Sequence, residues 1–421
     1  MKKVSRLRAV LVMICMFVQV MIGRTLAVAQ TETVLYSFPG NRADGGTPNG
    51  GMIFDERGNL YGALRFPGYG GVFELRQSTS GWLERLLYRF QGSSDGEGPY
   101  GYLTMDKAGN IYGTTYSGGT YNNGTVFEIT PTKSGEWKEQ VLHSFGASGD
   151  GLNPSAESLV LDSRGSIYGT TYSGGAYGWG TVFQLTKTAE GWTETILHSF
   201  TSGASDGSDP ISGLILDSKH NLYGTAFTGG ALGTGTVFEL VPTSGGQWTE
   251  SILYSFSGGT DGAHPSTPVI FDTQGNLYGT TEYGGAYGLG AIFELTPGGS
   301  GTWTESILYS FAAGSRYGAD PSGLVVDASG NLYGTTMYGG GSGCENDLGC
   351  GTVFKLAPIT GGGWSYSLLH SFTGGSDGGS GGGGLVLDSA GNLYGATFSG
   401  GNLSGCPSYF AGCGVVFEIT P

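Results

Sequence analysis

The hydrophobic positions of this chain fall into short runs separated by polar and glycine-rich stretches, and the runs return in a fixed order. One cycle can be read from Val269-Ile270-Phe271, a short apolar run. A turn from Asp272 to Asn276 leads to a second run, Leu277 to Thr281. The glycine-rich stretch Gly284 to Gly290 leads to a third, Ala291 to Leu295. The stretch Pro297 to Gly301 leads to a fourth, Trp303 to Phe311. Each run is rich in β-branched and aromatic residues and bounded by Gly, Pro, Asn or Asp, so each predicts a strand. Nothing in the chain has a helical period. We label the four strands a, b, c and d.

The Gly-Asn-Leu-Tyr-Gly motif that opens strand b recurs, with variation, seven times. Its tyrosines are Tyr61, Tyr112, Tyr168, Tyr223, Tyr278, Tyr333 and Tyr394, spaced by 51, 56, 55, 55, 55 and 61 residues. A fixed period of this length marks stacked or ringed supersecondary units. Four strands per unit and seven units predict an all-β fold, a seven-bladed β-propeller. The ends of the repeat fit a ring. Gln30 to Phe38 has the pattern of a strand d with no a, b or c before it, and Gly414 to Thr420 is a strand c with no d after it. An N-terminal strand that completes the last blade resolves both deficits and removes exposed sheet edges.

Residues 1–29 have a different character. Lys2, Lys3, Arg6 and Arg8 precede an apolar run from Ala9 to Gly23, and Ala27-Val28-Ala29 is a small-x-small cleavage pattern. These are the marks of a secretory signal peptide. The expectation is a leader at 1–29 and a single propeller domain at 30–421. Losing the leader removes five cations and no acids, which lowers the formal charge of −15 by five. Such acidity disfavours nucleic acid and anionic membrane surfaces as partners. A secreted, periplasmic or extracellular monomer is expected, with no membrane insertion after cleavage. Glycine numbers 83 of 421 residues without a Gly-X-Y period, and aromatics at 12% rival charged residues at 13%, so neither collagen nor disorder fits.

Outside the leader four cysteines remain: Cys344, Cys350, Cys406 and Cys413. In an exported chain an even count predicts disulfides. Three pairings are possible. The local one is favoured because each pair brackets an extra-long copy of the same loop. A zinc site is the alternative, although the spacings are not those of zinc ribbons.

The recurring pattern, Ile-Leu-Tyr-Ser-Phe, then Asp-x-x-Gly-Asn-Leu-Tyr-Gly-Thr-Thr, then Gly-Thr-Val-Phe-Glu-Leu, resembles the GloVer tandem repeat of bacterial "choice-of-anchor" secreted proteins over residues 31–421. The resemblance implies a surface or secreted propeller without an assigned activity. Many such proteins carry a C-terminal sorting anchor. Here Pro421 directly follows a strand pattern, so surface anchoring is not expected.

Most chemistry-bearing residues sit at repeating positions. The aspartates Asp55, Asp106, Asp162, Asp217, Asp272, Asp327 and Asp388 precede Gly-Asn-type turns and read as turn chemistry. Glu74, Glu128, Glu239, Glu294 and Glu418 in strand c alternate with Gln184 and Lys355, which suggests an inter-blade hydrogen bond. His143, His198 and His370 take the strand-d place of Tyr36, Tyr88, Tyr254 and Tyr309; on the outer rim they could not converge on one metal. Gly374 to Gly378 fits the G-x-S-x-G pattern but lies in a glycine tract, without the strand-to-helix setting of a nucleophile elbow. Six tryptophans open strand d and read as framework. No copy is expected to break the pattern by installing a matched acid, base or ligand set. No catalytic residue, cofactor or metal is therefore predicted.

Alternating strand direction puts the b–c and d–a loops on one face. That face collects Tyr116, Tyr121, Tyr172, Tyr177, Trp179, Tyr283 and Tyr287, with Asp95, Asp150, Asp206, Asp261 and Asp377 in the d–a loops. Aromatic platforms beside acceptors suit sugar rings. The expected function is non-catalytic binding of a glycan or other envelope component through this face. The alternatives are a polysaccharide lyase or hydrolase, or a metal-dependent lactonase, acting at the channel mouth, and a protein-interaction scaffold.

Overall fold

The computed structural model describes residues 30–41, 45–66, 68–154, 158–312, 318–340, 344, 348–403, 406 and 411–421. The leader assigned to 1–29 lies outside them. Seven antiparallel sheets with strands in a–b–c–d order form the blades, and in the first blade Gly46–Pro48 also pairs with strand b as a fifth strand. Blade 5 shows the match to the repeat: strand a is Ile270–Phe271, b is Leu277–Thr281, c is Ala291–Pro297 and d is Trp303–Ser310. Blade 7 takes its strand d from the other end of the chain. Thr31–Ser37 pairs antiparallel with Val415–Thr420, with Thr31 opposite Thr420 and Ser37 opposite Val415. The ring is closed as the repeat predicts.

The same aromatic contact holds every pair of neighbouring blades. The phenylalanine that ends strand d meets, edge to face, the strand-c phenylalanine of the next blade: Phe90 with Phe127 at 5.0 Å, Phe145 with Phe183 at 5.1 Å and Phe256 with Phe293 at 5.1 Å. The closing interface is the same, with Phe38 on Phe73 at 5.1 Å. All these rings are almost fully buried, and edge-to-face pairs add about 0.5–1.5 kcal/mol to the area term. This contact also explains the last glycine of the repeated motif. A methyl group on Gly279 would fall 2.4 Å from the tip of Phe293, so only glycine lets strand b lie over that ring.

The aspartates of the a–b turns are structural. Asp272 Oδ1 accepts the N–H groups of Gln274 at 2.7 Å and Asn276 at 2.9 Å, and Oδ2 accepts the Asn276 amide at 2.8 Å. The Tyr278 hydroxyl then sits between Asp272 Oδ2 at 3.2 Å and Glu294 Oε1 at 2.9 Å. The strand-c glutamate therefore bonds within its own blade. This corrects the inter-blade expectation, because Tyr278 and Glu294 are directly opposed in the b–c ladder. Where Gln184 replaces the glutamate its amide donates to Tyr168 at 3.0 Å, and Lys355 stands 5.3 Å over the Tyr333 ring. The strand-d tryptophans pack on these tyrosines, as Trp364 does on Tyr278 at 6.1 Å.

Both disulfides are local. Cys344 is joined to Cys350 and Cys406 to Cys413, in the long b–c loops of blades 6 and 7. No helix among the described residues is long and apolar enough to cross a membrane.

Candidate functional site

On the b–c/d–a face a funnel of about 710 Å³ opens on the axis of the ring. Two sets of equivalent positions contribute to its wall: Arg65, Tyr116, Tyr172, Glu282 and Met337 of the first line it, and Gly98 and Asp320 of the second. The first is the position after the Thr-Thr pair of strand b: Arg65, Tyr116, Tyr172, Phe227, Glu282, Met337 and Phe398. The second lies where each d–a loop turns into the ring: Thr47, Gly98, Asn153, Asp209, His264, Asp320 and Ser380. The six non-glycine residues of the second set all have φ between 53° and 57°, in the left-handed region. Each such residue costs about 1–3 kcal/mol unless its surroundings enforce the conformation. Here they do. The N–H of Asp209 donates to Trp179 O at 3.0 Å, and that of His264 to Thr234 O at 2.8 Å, both in the preceding blade. The His264 carbonyl in turn accepts the Glu282 N–H at 3.1 Å. The conformation recurs at the equivalent position of six blades, with Thr47, Asn153, Asp209, His264, Asp320 and Ser380 in turn.

Two carboxyls meet in this wall. Asp320 is largely buried, and burial together with the Glu282 charge pushes it up to about 7. Glu282 accepts a hydrogen bond from Tyr283, which carries that phenol up to about 12. Burial, with Asp320 and Glu282, also raises Tyr338. Arg65 and Glu97 line the opposite side of the funnel, and Tyr69, Tyr116 and Tyr172 supply its aromatic surface.

The funnel has a floor. At the innermost point of strand a the other blades carry Gly51, Ser158, Gly213, Pro268, Gly323 and Gly384, but blade 2 carries Tyr102. A methyl group on Gly51 would fall 1.8 Å from the Tyr102 ring, and one on Gly384 would fall 1.6 Å from its hydroxyl. Tyr102 thus reaches from blade 2 across the axis to blade 7 and stoppers the channel.

The sequence-predicted aromatics are all exposed. Tyr116 and Tyr172 enter the funnel, at 44% and 40% exposure. Tyr121, Tyr177, Tyr287 and Trp179 stand on the surrounding loops, with Tyr177 at 62% and Trp179 at 45%. Tyr283 lies between the groups through its bond to Glu282. The d–a aspartates do not join them as open acceptors. Tyr88, His143, His198, Tyr254 and His370 each hold the carboxylate that follows them, at 2.8–3.3 Å: Asp95, Asp150, Asp206, Asp261 and Asp377 in turn. Backbone N–H groups add to this, such as Gln91 to Asp95 at 2.8 Å. On the other side each aspartate faces a strand-d glutamate of the next blade. Burial and the aspartate charge push Glu32, Glu139, Glu250 and Glu305 up to about 7, and Glu194 to about 8.

Comparison with known families agrees with this repeat anatomy. Residues 24–160 and 153–410 match the Gloeobacter/Verrucomicrobia repeat. The chain belongs to that family. No curated protein matches it. Among solved structures, this Gloeobacter/Verrucomicrobia repeat protein is similar to a fungal alcohol oxidase of the AA5 family in complex with copper. The identity is 15% over 93% of this chain and 76% of that one, with a TM-score of 0.55. It is also similar to a protein from Lactobacillus plantarum, at 16% identity over 80% and 88% of the two chains, with a TM-score of 0.53. Likeness at this level shows the fold alone.

In the Gloeobacter/Verrucomicrobia repeat the residues that vary most in chemistry from copy to copy include those that line the funnel. Glu282 and Asp320 lie far apart in the chain, and neither belongs to the motif. Aligning the copies and asking which single column changes chemistry from blade to blade would have found the position of Arg65, Tyr116 and Glu282. Their closure into one wall needs the ring.

Proposed function

We propose that this protein is an exported binding propeller that takes a hydroxyl-rich, glycan-type ligand at the funnel of the b–c/d–a face. One observation carries the reading. The structural networks are written almost identically into every blade, whereas the funnel position holds cation, anion, aromatic and thioether in turn: Arg65, Glu282, Tyr172 and Met337. A fold needs no such variety at equivalent points; selective contact with an asymmetric ligand does. Exposed tyrosines offer stacking faces for sugar rings, and carboxylate and guanidinium groups offer partners for hydroxyls. Export is supported by the leader pattern and by the two disulfides, which form in oxidising compartments.

The test is affinity electrophoresis of the mature protein through gels containing bacterial or plant polysaccharides. Each lane is assayed for new reducing ends and unsaturated products. Retardation without product that is lost in Tyr172→Ala and weakened in Trp179→Ala supports the reading. Absence of retardation on every polysaccharide overturns it and leaves a polypeptide-binding scaffold. A second reading has its own observation. Asp320 and Glu282 are neighbouring carboxyls in unequal settings, the condition acid–base chemistry on a glycosidic bond requires. Product that disappears in both Asp320→Asn and Glu282→Gln would make the funnel an active site.

A further inference from the structure

The rim of the ring carries a second, independent arrangement. At each of five interfaces among the described residues, three side chains meet: a strand-d Tyr or His, the aspartate of the following d–a loop, and a strand-d glutamate of the next blade. Two copies use tyrosine, Tyr88–Asp95–Glu139 and Tyr254–Asp261–Glu305. Three use histidine, and in one of these the three donors close on a point. His143 Nε2 lies 3.1 Å from Asp150 Oδ2 and 3.7 Å from Glu194 Oε2. All three ligand atoms lie within 4.8 Å of one another, which among the described residues happens nowhere else for His, Cys, Asp and Glu.

These separations suit a first-row divalent cation. Bonds of about 2.0–2.2 Å from zinc to imidazole nitrogen and carboxylate oxygen, at tetrahedral angles, put neighbouring donors roughly 3.3–3.5 Å apart. The donors here need only small side-chain adjustments to reach that value. Their orientation is already fixed. Asp150 is held by the N–H groups of Gly146 at 3.0 Å and Gly151 at 2.6 Å, the outer-shell support expected of a ligating carboxylate. The His143 ring is set by an edge contact with Phe145 at 4.7 Å. Glu194 completes the set, and it shares with Glu32, Glu139, Glu250 and Glu305 a buried Oε1 that has no hydrogen-bond partner. The side chain as a whole is only 14% exposed. Its Oε2 is the oxygen that faces His143. His143 keeps 21% exposure, an entry path for the ion and a place for a water as fourth ligand.

We propose that His143, Asp150 and Glu194 form a zinc-type divalent cation site that ties blade 2 to blade 3. The tyrosine copies serve as internal controls, because a neutral phenol keeps the bond to aspartate but is a poor ligand. His198 and His370 have the same aspartate partner, at 3.1 and 3.3 Å, but no glutamate within ion-pair reach.

Chelator-treated protein is titrated with zinc chloride, and bound zinc is counted by elemental analysis after gel filtration. Thermal unfolding is followed in parallel. The expected result is tight zinc uptake with a rise in Tm, and loss of one zinc equivalent per chain in His143→Tyr. That variant installs the rim's own alternative residue, so it should fold. Glu194→Gln should weaken zinc binding at least tenfold, and His198→Tyr should leave it unchanged. No zinc retention by the wild-type protein, or undiminished zinc in both His143→Tyr and Glu194→Gln, would overturn the proposal.

Discussion

The turn networks of the blades and the wall of the funnel are built from the same repeat and treat it in opposite ways. In the turns, Asp, Asn, Tyr and Glu recur almost without change, each satisfied by its neighbours within one blade. In the funnel, the backbone is copied as faithfully, down to the left-handed residue at each loop entry, but the side chains vary, from Arg65 and Glu282 to Tyr172 and Met337. Uniform side chains on a uniform backbone mark what the fold requires. Varied side chains on a uniform backbone are what the proposed ligand would require. The comparison makes stability and binding separable, and each should be lost without the other.

The largest effect is expected at the shared core. Phe293→Ala removes a ring buried between blades 4 and 5 and should destabilise by about 3–5 kcal/mol, read by urea unfolding. A drop below 1 kcal/mol would show that the blades do not depend on this contact. Next is the funnel. Asp320→Asn should weaken ligand binding about tenfold, near 1.4 kcal/mol, and leave Tm unchanged or raised, because a carboxyl that resists ionisation is replaced by a neutral amide. A fall in Tm without a change in binding would reverse the roles given to the two regions. Tyr278→Phe should show the opposite signature, with a loss of about 1 kcal/mol of stability through the bonds to Asp272 and Glu294 and no change in binding.

The smallest effects per residue belong to the rim, where they are additive. Glu139, Glu250 and Glu305 have folded values near 7 against 4.5 for the free group. The folded state thus binds protons more tightly. That stabilisation is complete below about pH 4.5 and is lost as pH rises through about 7. The turn carboxyls act in the other direction. Burial raises Asp272, Asp327 and Asp388, but bonds from backbone N–H and asparagine outweigh it and hold them below 3.8. Their contribution is present at neutral pH and lost as pH falls below that value. Tm should therefore be highest in mildly acidic solution and decline toward pH 8. Glutamine at residues 139, 250 and 305 together should flatten the decline. A flat profile in the wild-type protein would remove the rim carboxyl pairs from the account.

The architecture was legible in the sequence because its causes are periodic. Tyr61 and its six counterparts count the blades, and Thr31 and Thr420 pair because each end lacks what the other has. The aromatic residues were legible as exposed because loops between strands of a ring have nowhere else to put Tyr177 or Trp179. The carboxyl pair of Glu282 and Asp320 was not, since reading copies against one another trains attention on what recurs. The rim sets were hidden for a different reason. Asp150 and Glu194 belong to different blades, and only the wedge angle between sheets brings them to one imidazole. Tyr102 was hidden likewise, as its contacts lie across the axis.

The closing strand also sets an order of events during synthesis. Thr31–Ser37 is made before the other strands of the propeller, but its ladder partner, Val415–Thr420, is made after them. Until then the first strand has no sheet to join, and Phe73 faces a neighbour that cannot be held in place. Blades can form one after another as the chain emerges, yet the ring can lock only once Val415–Thr420 has emerged, through a contact between the first and last strands of the repeat. Such long-range closure is slow.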